Sequence, residues 1–342
     1  MRAFITGISG PALTGEERAF LRDAEPWGVI LFRRNVESPE ALRDMVDDVR
    51  TTLGRAAPVL IDQEGGRVQR LGPPRWPAYP PGAAYGAIYD RDREAGLAAA
   101  RLGARLIAAD LAALGIDIDC LPIADVPVAG ADRVVGDRAY GNDPAKVAAI
   151  AGAIAAGLAE GGVLPVLKHI PGHGRATADS HQTLPVVGAS RAELEATDFA
   201  AFRPLVALPL AMTAHVVFTA IDPVAPATIS ATIVRDVIRD SIGYQGLLMT
   251  DDISMGALSG TVGERTRAAI AAGCDVVLHC NGDMPEMRAV AAEAPTLSGD
   301  ALRRATAALA AKQPATPIDL AAARAEFLQA MTGAWQPAQG LA

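Results

Sequence analysis

From one end of the chain to the other, short apolar runs alternate with longer helical patterns, and few folds accept that order. Runs rich in β-formers at 3–8, 28–32, 58–62, 116–123, 163–167, 210–215, 246–250 and 275–279 read as eight strands. Helical patterns separate them at 14–23, 38–53, 93–114, 144–160, 191–202, 231–241 and 262–272, and two more follow at 285–294 and 298–311. Thr14, with Glu17 three residues on, marks a helix start. The stretch 72–86, rich in Pro and Gly, reads as a loop. Eight buried strands alternating with helices imply an α/β fold, a single (β/α)8 TIM-type barrel. A doubly wound open sheet shares the alternation and is the runner-up. No linker or repeat divides the chain. Residues 1–312 are therefore expected to form the barrel, and 313–342 a last helix, patterned over 318–331, with a tail packed on it or trailing from it.

Charge and cysteine usage narrow the setting. The 342 residues are half apolar and carry a net charge of −8, with Lys and Arg scattered, which argues against nucleic acid or an anionic membrane as partner. No apolar stretch approaches a membrane span and no secretory leader is visible, so a cytoplasmic protein is expected. Cys120, Cys274 and Cys280 show no metal-type pairing and suit a reducing compartment, with Cys280 read as core packing. No cofactor is expected, and a monomer is.

Chemistry concentrates in one stretch, 168–181, KHIPGHGRATADSH, which holds three of the five histidines. It follows an apolar run and is broken by Pro171, Gly172 and Gly174, so it reads as a strand ending in an irregular loop. In a barrel the strand ends converge on one mouth. Asp62, Lys168 with His169, His215, and Asp251 with Asp252 stand at such ends. Plainer readings exist for several of them. Asp62 can be a structural partner of Arg67 or Arg70, Asp252 a turn cap, His215 a satisfied strand-end histidine, and His173 a lock on its loop. Asp251 is expected to point into the mouth if Thr250 points away. Asp179, two residues from His181, can hold the imidazole in one tautomer as a general acid/base. A metal site built from His169, His173, His181 and an Asp is a second reading, although the helical HExxH pattern is missing.

Four strings then carry a resemblance: IDQEGGRVQR (61–70), VVGDRAYGNDP (134–144), KHIPGHGRATADSH (168–181) and MTDDISMGAL (249–258). They are similar to the hallmark blocks of bacterial glycoside hydrolase family 3 β-N-acetylglucosaminidases, more narrowly the single-domain cytoplasmic type of peptidoglycan recycling. GVILFRRNVESPEAL (28–42) fits as well, and the similarity runs over roughly 5–280. The resemblance implies Asp251 as catalytic nucleophile, Asp252 as its non-catalytic neighbour, and His181 as acid/base with Asp179 as partner. It implies that Asp62, Arg70, Arg138, Lys168 and His169 hold the hydroxyls and N-acetyl group of the terminal sugar, and it gives His173 no catalytic role.

A retaining glycosidase of this kind needs a carboxylate to attack the anomeric carbon and a second group to protonate the leaving oxygen. Lys and Arg at the mouth would keep Asp251 ionised and would suit N-acetylglucosamine-containing wall fragments bearing carboxylates. Family 3 β-glucosidases resemble the same barrel but draw the acid/base from a second large domain. About sixty residues follow the eighth strand here, so the acid/base is expected from the barrel's own loops. Aromatic residues are 4% of the chain, so hydrogen bonds should carry sugar recognition. Three alternatives remain: a phosphorylase using phosphate in place of water, a metal-dependent hydrolase, and a catalytically silent sugar-binding barrel.

Overall fold

The computed structural model describes residues 1–337, so positions 338–342 of the expected tail lie outside the described residues. Eight parallel strands close into one barrel: β1 (Arg2–Gly7), β2 (Pro26–Leu31), β3 (Val59–Ile61), β4 (Ile118–Asp119), β5 (Leu164–Ile170), β6 (Leu210–Thr213), β7 (Leu247–Asp252) and β8 (Val276–His279). Each strand pairs with its neighbours in sequence, and β1 closes on β8 through Phe4 opposite Val277 and Ile5 opposite Leu278. Closure excludes the open sheet. Ile5, Leu60, Ile118, Val166, Met212, Met249 and Leu278 fill the barrel interior, while Phe4, Val59, Ile61, Leu248 and Val277 face the helices. Burial on both faces explains why the strands read as apolar runs.

The helix starts follow their caps. Thr14 Oγ1 accepts from Glu17 N, and the Glu17 carboxylate accepts from Thr14 N, starting the helix Gly15–Ala24. Ser38 caps Pro39–Leu53 and Asp143 caps Pro144–Glu160 with one bond each, accepting from Ala41 N and Ala145 N.

Four expectations need correction. The fourth strand, expected over 116–123, keeps regular pairing only at Ile118–Asp119, because Pro122 offers no N–H to the ladder. The pattern 191–202 is two helices, Arg191–Ala196 and Asp198–Phe202, broken at Thr197, whose hydroxyl turns back to the Glu193 carbonyl. The pattern over 231–241 winds as a π-helix, Ile233–Ser241. The supposed loop 72–86 contains the start of a helix, Gly82–Arg91. Gly82 and Gly86 are there for close packing: a Cβ would lie 2.1 Å from the Arg138 carbonyl oxygen and 2.0 Å from that of Tyr140. Beyond the barrel, the helix Leu320–Ala330 docks on Arg93–Ala112, with Phe327 between Tyr79 and Tyr85 and Arg324 Nη2 2.6 Å from Asp110.

Candidate active site

The C-terminal ends of the strands open on a cavity of about 640 Å³, lined by Asp62, Arg70, Arg138, Lys168, His169, Asp179, His181 and Asp251 among others. Residues scattered over 190 positions of sequence thus meet in one place. His215 lies outside that lining, fully buried, with Nδ1 on the Thr228 hydroxyl and Nε2 on the Asp252 carbonyl. It is a satisfied structural histidine. Cys280, read as core, is buried but forms part of the cavity wall.

One wall is a continuous chain of ion pairs. Arg70 Nη2 donates to Asp62 Oδ2 at 2.8 Å, and Lys168 Nζ bridges Asp62 Oδ1 at 3.0 Å and Glu64 Oε1 at 2.6 Å. Arg138 completes it with two bonds to Glu64, Nε at 2.8 Å and Nη2 at 2.7 Å. Burial alone would push both carboxyls up, but the cations outweigh it: Lys168 and Arg70 hold Asp62 well below the usual range, and Arg138 and Lys168 bring Glu64 down to about 2. Lys168 is raised in turn by the two carboxylates, against burial. Arg67, the other candidate partner of Asp62, instead pairs with Asp137 and with backbone carbonyls.

The β5 end carries two consecutive residues into the cavity, Lys168 and His169. Pairing with β6 slips between Lys168 and Ile170, and such an irregularity re-aims side chains that plain alternation would send to opposite faces. Asp125, fully buried, sits 2.7 Å from His169 Nδ1 and accepts the backbone N–H groups of His169 and His173. These donors overcome burial and bring Asp125 down to about 2. With Asp125 ionised, the hydrogen between the two groups resides on His169 Nδ1, which fixes the ring's orientation.

Asp251 ends β7, where the register against β8 shifts between Met249 and Asp252. Thr250 turns away and accepts from Leu278 N, so Asp251 faces the cavity as expected. Asp252 caps the following turn, taking Ser254 N, the Ser254 hydroxyl and Cys280 N. Burial pushes Asp251 up, yet the carboxyl is held below its ordinary value, first by the His169 imidazole, with the Asp252 N–H and Lys168 adding to it. Of the Lys and Arg side chains expected to do this, Lys168 contributes, alongside the His169 imidazole and a backbone donor. His215 contributes little as a cation, because burial lowers its own pKa.

On the loop after β5, His181 Nδ1 and N both engage Asp179 Oδ1, at 2.7 and 2.9 Å. Asp179 is lowered despite partial burial, so it takes the Nδ1 hydrogen and leaves Nε2 for chemistry. The His181 side chain is 64% exposed, open to a reactant. His173 is buried and lowered to about 4 by that burial, with Nε2 on the Ser180 hydroxyl at 3.0 Å. The three loop histidines therefore each spend a ring nitrogen on a different partner. Among the described residues no three His, Cys, Asp or Glu side chains converge as a metal-holding group.

Sequence reasoning missed Glu64 and Asp125. Glu64 had a signal, standing two residues beyond Asp62 and thus on the same side of extended chain. Asp125 had none, because 121–126 has no regular period. Among the described residues the only ring of Phe, Tyr or Trp in the cavity lining is Phe32, and Arg34 and Arg70 cover it with guanidinium carbons 4.9 and 5.3 Å from its centroid.

Comparison with known proteins bears on this geometry. The family description "Glycosyl hydrolase family 3 N terminal domain" matches residues 7–307. The chain belongs to glycosyl hydrolase family 3. Among curated relatives, a β-hexosaminidase of Alkalilimnicola ehrlichii is 42% identical over 281 residues, 80% of this chain and 79% of that protein. Another, from Aromatoleum aromaticum, is 37% identical over 92% of this chain and 88% of its own length. The crystal structure of native NagZ from Neisseria gonorrhoeae superposes with a TM-score of 0.83 at 32% identity, covering 98% of each chain. The same NagZ in complex with N-trifluoroacetyl-D-glucosamine matches with a TM-score of 0.80, over 97% of this chain and 98% of that one.

Proposed function

We propose that this family 3 β-N-acetylhexosaminidase is a retaining exo-enzyme that removes terminal non-reducing N-acetylglucosamine from peptidoglycan fragments. The observation that carries the reading is the presence, in one cavity, of a half-buried carboxylate held below its ordinary pKa, Asp251, and an exposed His181 held by Asp179. Asp251 attacks the anomeric carbon and forms a glycosyl-enzyme, while His181 Nε2 delivers a proton to the leaving oxygen. The same nitrogen then takes a proton from the incoming water. An imidazole acid places no second negative charge beside Asp251 or beside a carboxylate-bearing product. Asp62, Arg70, Arg138, Lys168 and His169 hold the sugar, and a wall of fixed ion pairs supports recognition of one ring. The neighbour's complex with N-trifluoroacetyl-D-glucosamine supports N-acetylglucosamine as the sugar.

Three buried free cysteines support a cytoplasmic setting. Among the described residues no helix is long and apolar enough to cross a membrane. We read the enzyme as a monomer acting in wall recycling. The test is hydrolysis of a chromogenic N-acetyl-β-glucosaminide, with the first-formed anomer read by NMR and phosphate present or absent. A β-configured free sugar, loss of turnover in Asp251→Ala, and a fall of about 10²-fold or more in His181→Ala are expected. An α product, or a sugar 1-phosphate as main product, would overturn the hydrolytic retaining reading.

A further inference from the structure

The segment that presents His181 is fastened at points the mechanism does not use. Gly256 N donates to the His181 carbonyl at 3.2 Å, and Ala257 N donates to the Ser180 carbonyl at 3.1 Å. Both donors lie on the loop that leaves β7, five and six residues past Asp251. A Cβ on Gly256 would stand 2.7 Å from the Gln182 carbonyl oxygen and 2.9 Å from that of His181. Those atoms are backbone and cannot swing aside, so glycine is required by close approach. Gly256 is not in the left-handed region, and an alanine there meets no backbone strain. On the other side of the segment, the buried Ser180 hydroxyl bonds His173 Nε2 at 3.0 Å.

We propose that Gly256 is a positioning residue: its bare Cα lets the loop behind the nucleophile dock on the Ser180–His181 backbone, and with the His173–Ser180 bond it clamps the acid/base segment over the cavity. The inference rests on the reading of His181 as acid/base. The clamp ties the proton donor to the strand that bears Asp251, so the distance between the two groups is set by one short loop. General acid catalysis is lost steeply with small displacements of the donor.

The test compares Gly256→Ala with wild type on two β-N-acetylglucosaminides. One has a 2,4-dinitrophenyl leaving group, which departs without protonation, and the other an alkyl leaving group, which needs it. Values of kcat/KM report the glycosylation step on both. A fall of at least about 10-fold on the alkyl glycoside, with less than about 2-fold on the dinitrophenyl one, is expected. An equal fall on both substrates, or no fall on either, overturns the proposal. Should Gly256→Ala not fold, Ser180→Ala loosens the same segment from its His173 side and is read by the same criterion. His181→Ala run in parallel separates the two layers. If it also lacks leaving-group dependence, the acid/base reading fails; if it alone shows the dependence, only the clamp does.

Discussion

At the scale of single residues, the cavity is organised by carboxylates that serve as holders. Glu64 is the one group in contact with both Lys168 and Arg138, and an amide cannot neutralise either cation. Glu64→Gln is expected to cost about 3 kcal/mol of stability, read by urea denaturation, since it strands buried charge. Its KM for a chromogenic substrate should rise more than its kcat falls, if the cations it holds bind the sugar as proposed. Asp119 behaves oppositely. Fully buried, it accepts from Gln63 N through Oδ1, while Oδ2 has no partner, and burial raises its pKa well above the ordinary value. A carboxyl raised in the folded state contributes stability that is complete below its unfolded pKa near 3.9 and is lost as pH climbs towards the folded value. Above about pH 4, wild-type stability should therefore decline with a component of up to about 1.4 kcal/mol per pH unit that Asp119→Asn lacks. Parallel stability-against-pH curves for the two proteins would contradict this.

At the scale of elements, local chemistry made most of the secondary structure legible in the sequence. Thr14 and Glu17 signalled a helix start, because caps act within a few residues. Thr14→Ala should cost about 1 kcal/mol in denaturant with turnover unchanged, as neither Thr14 nor Glu17 lines the cavity. What failed to be legible depends on contacts distant in sequence. Gly82 and Gly86 resemble loop glycines until the Arg138 and Tyr140 carbonyls arrive against them. The break at Thr197 depends on a side chain choosing its own backbone over the helix, and the aim of Lys168 and His169 depends on a register slip in a neighbouring strand pair. Strand ends, by contrast, announced Asp62, Lys168 and Asp251 well, since ionisable residues closing apolar runs have few other places to go.

At the scale of the whole molecule, barrel closure turns a linear order into a site. Asp62 and Asp251 stand 189 positions apart in sequence, yet the closed order of strands brings β3 and β7 to the same mouth. The helices outside vary in detail, with a split helix and a π-helix, without disturbing that convergence. The central claim is that Asp251 attacks the sugar. The direct measurement is mass spectrometry of the enzyme after reaction with a slow, activated fluorinated N-acetylglucosaminide, followed by proteolysis and peptide mapping. The account predicts one glycosyl adduct per chain, on the peptide carrying Asp251 and at that carboxylate, and none in Asp251→Ala. An adduct on a different residue, or turnover of the reagent with an inverted product and no adduct, would contradict it.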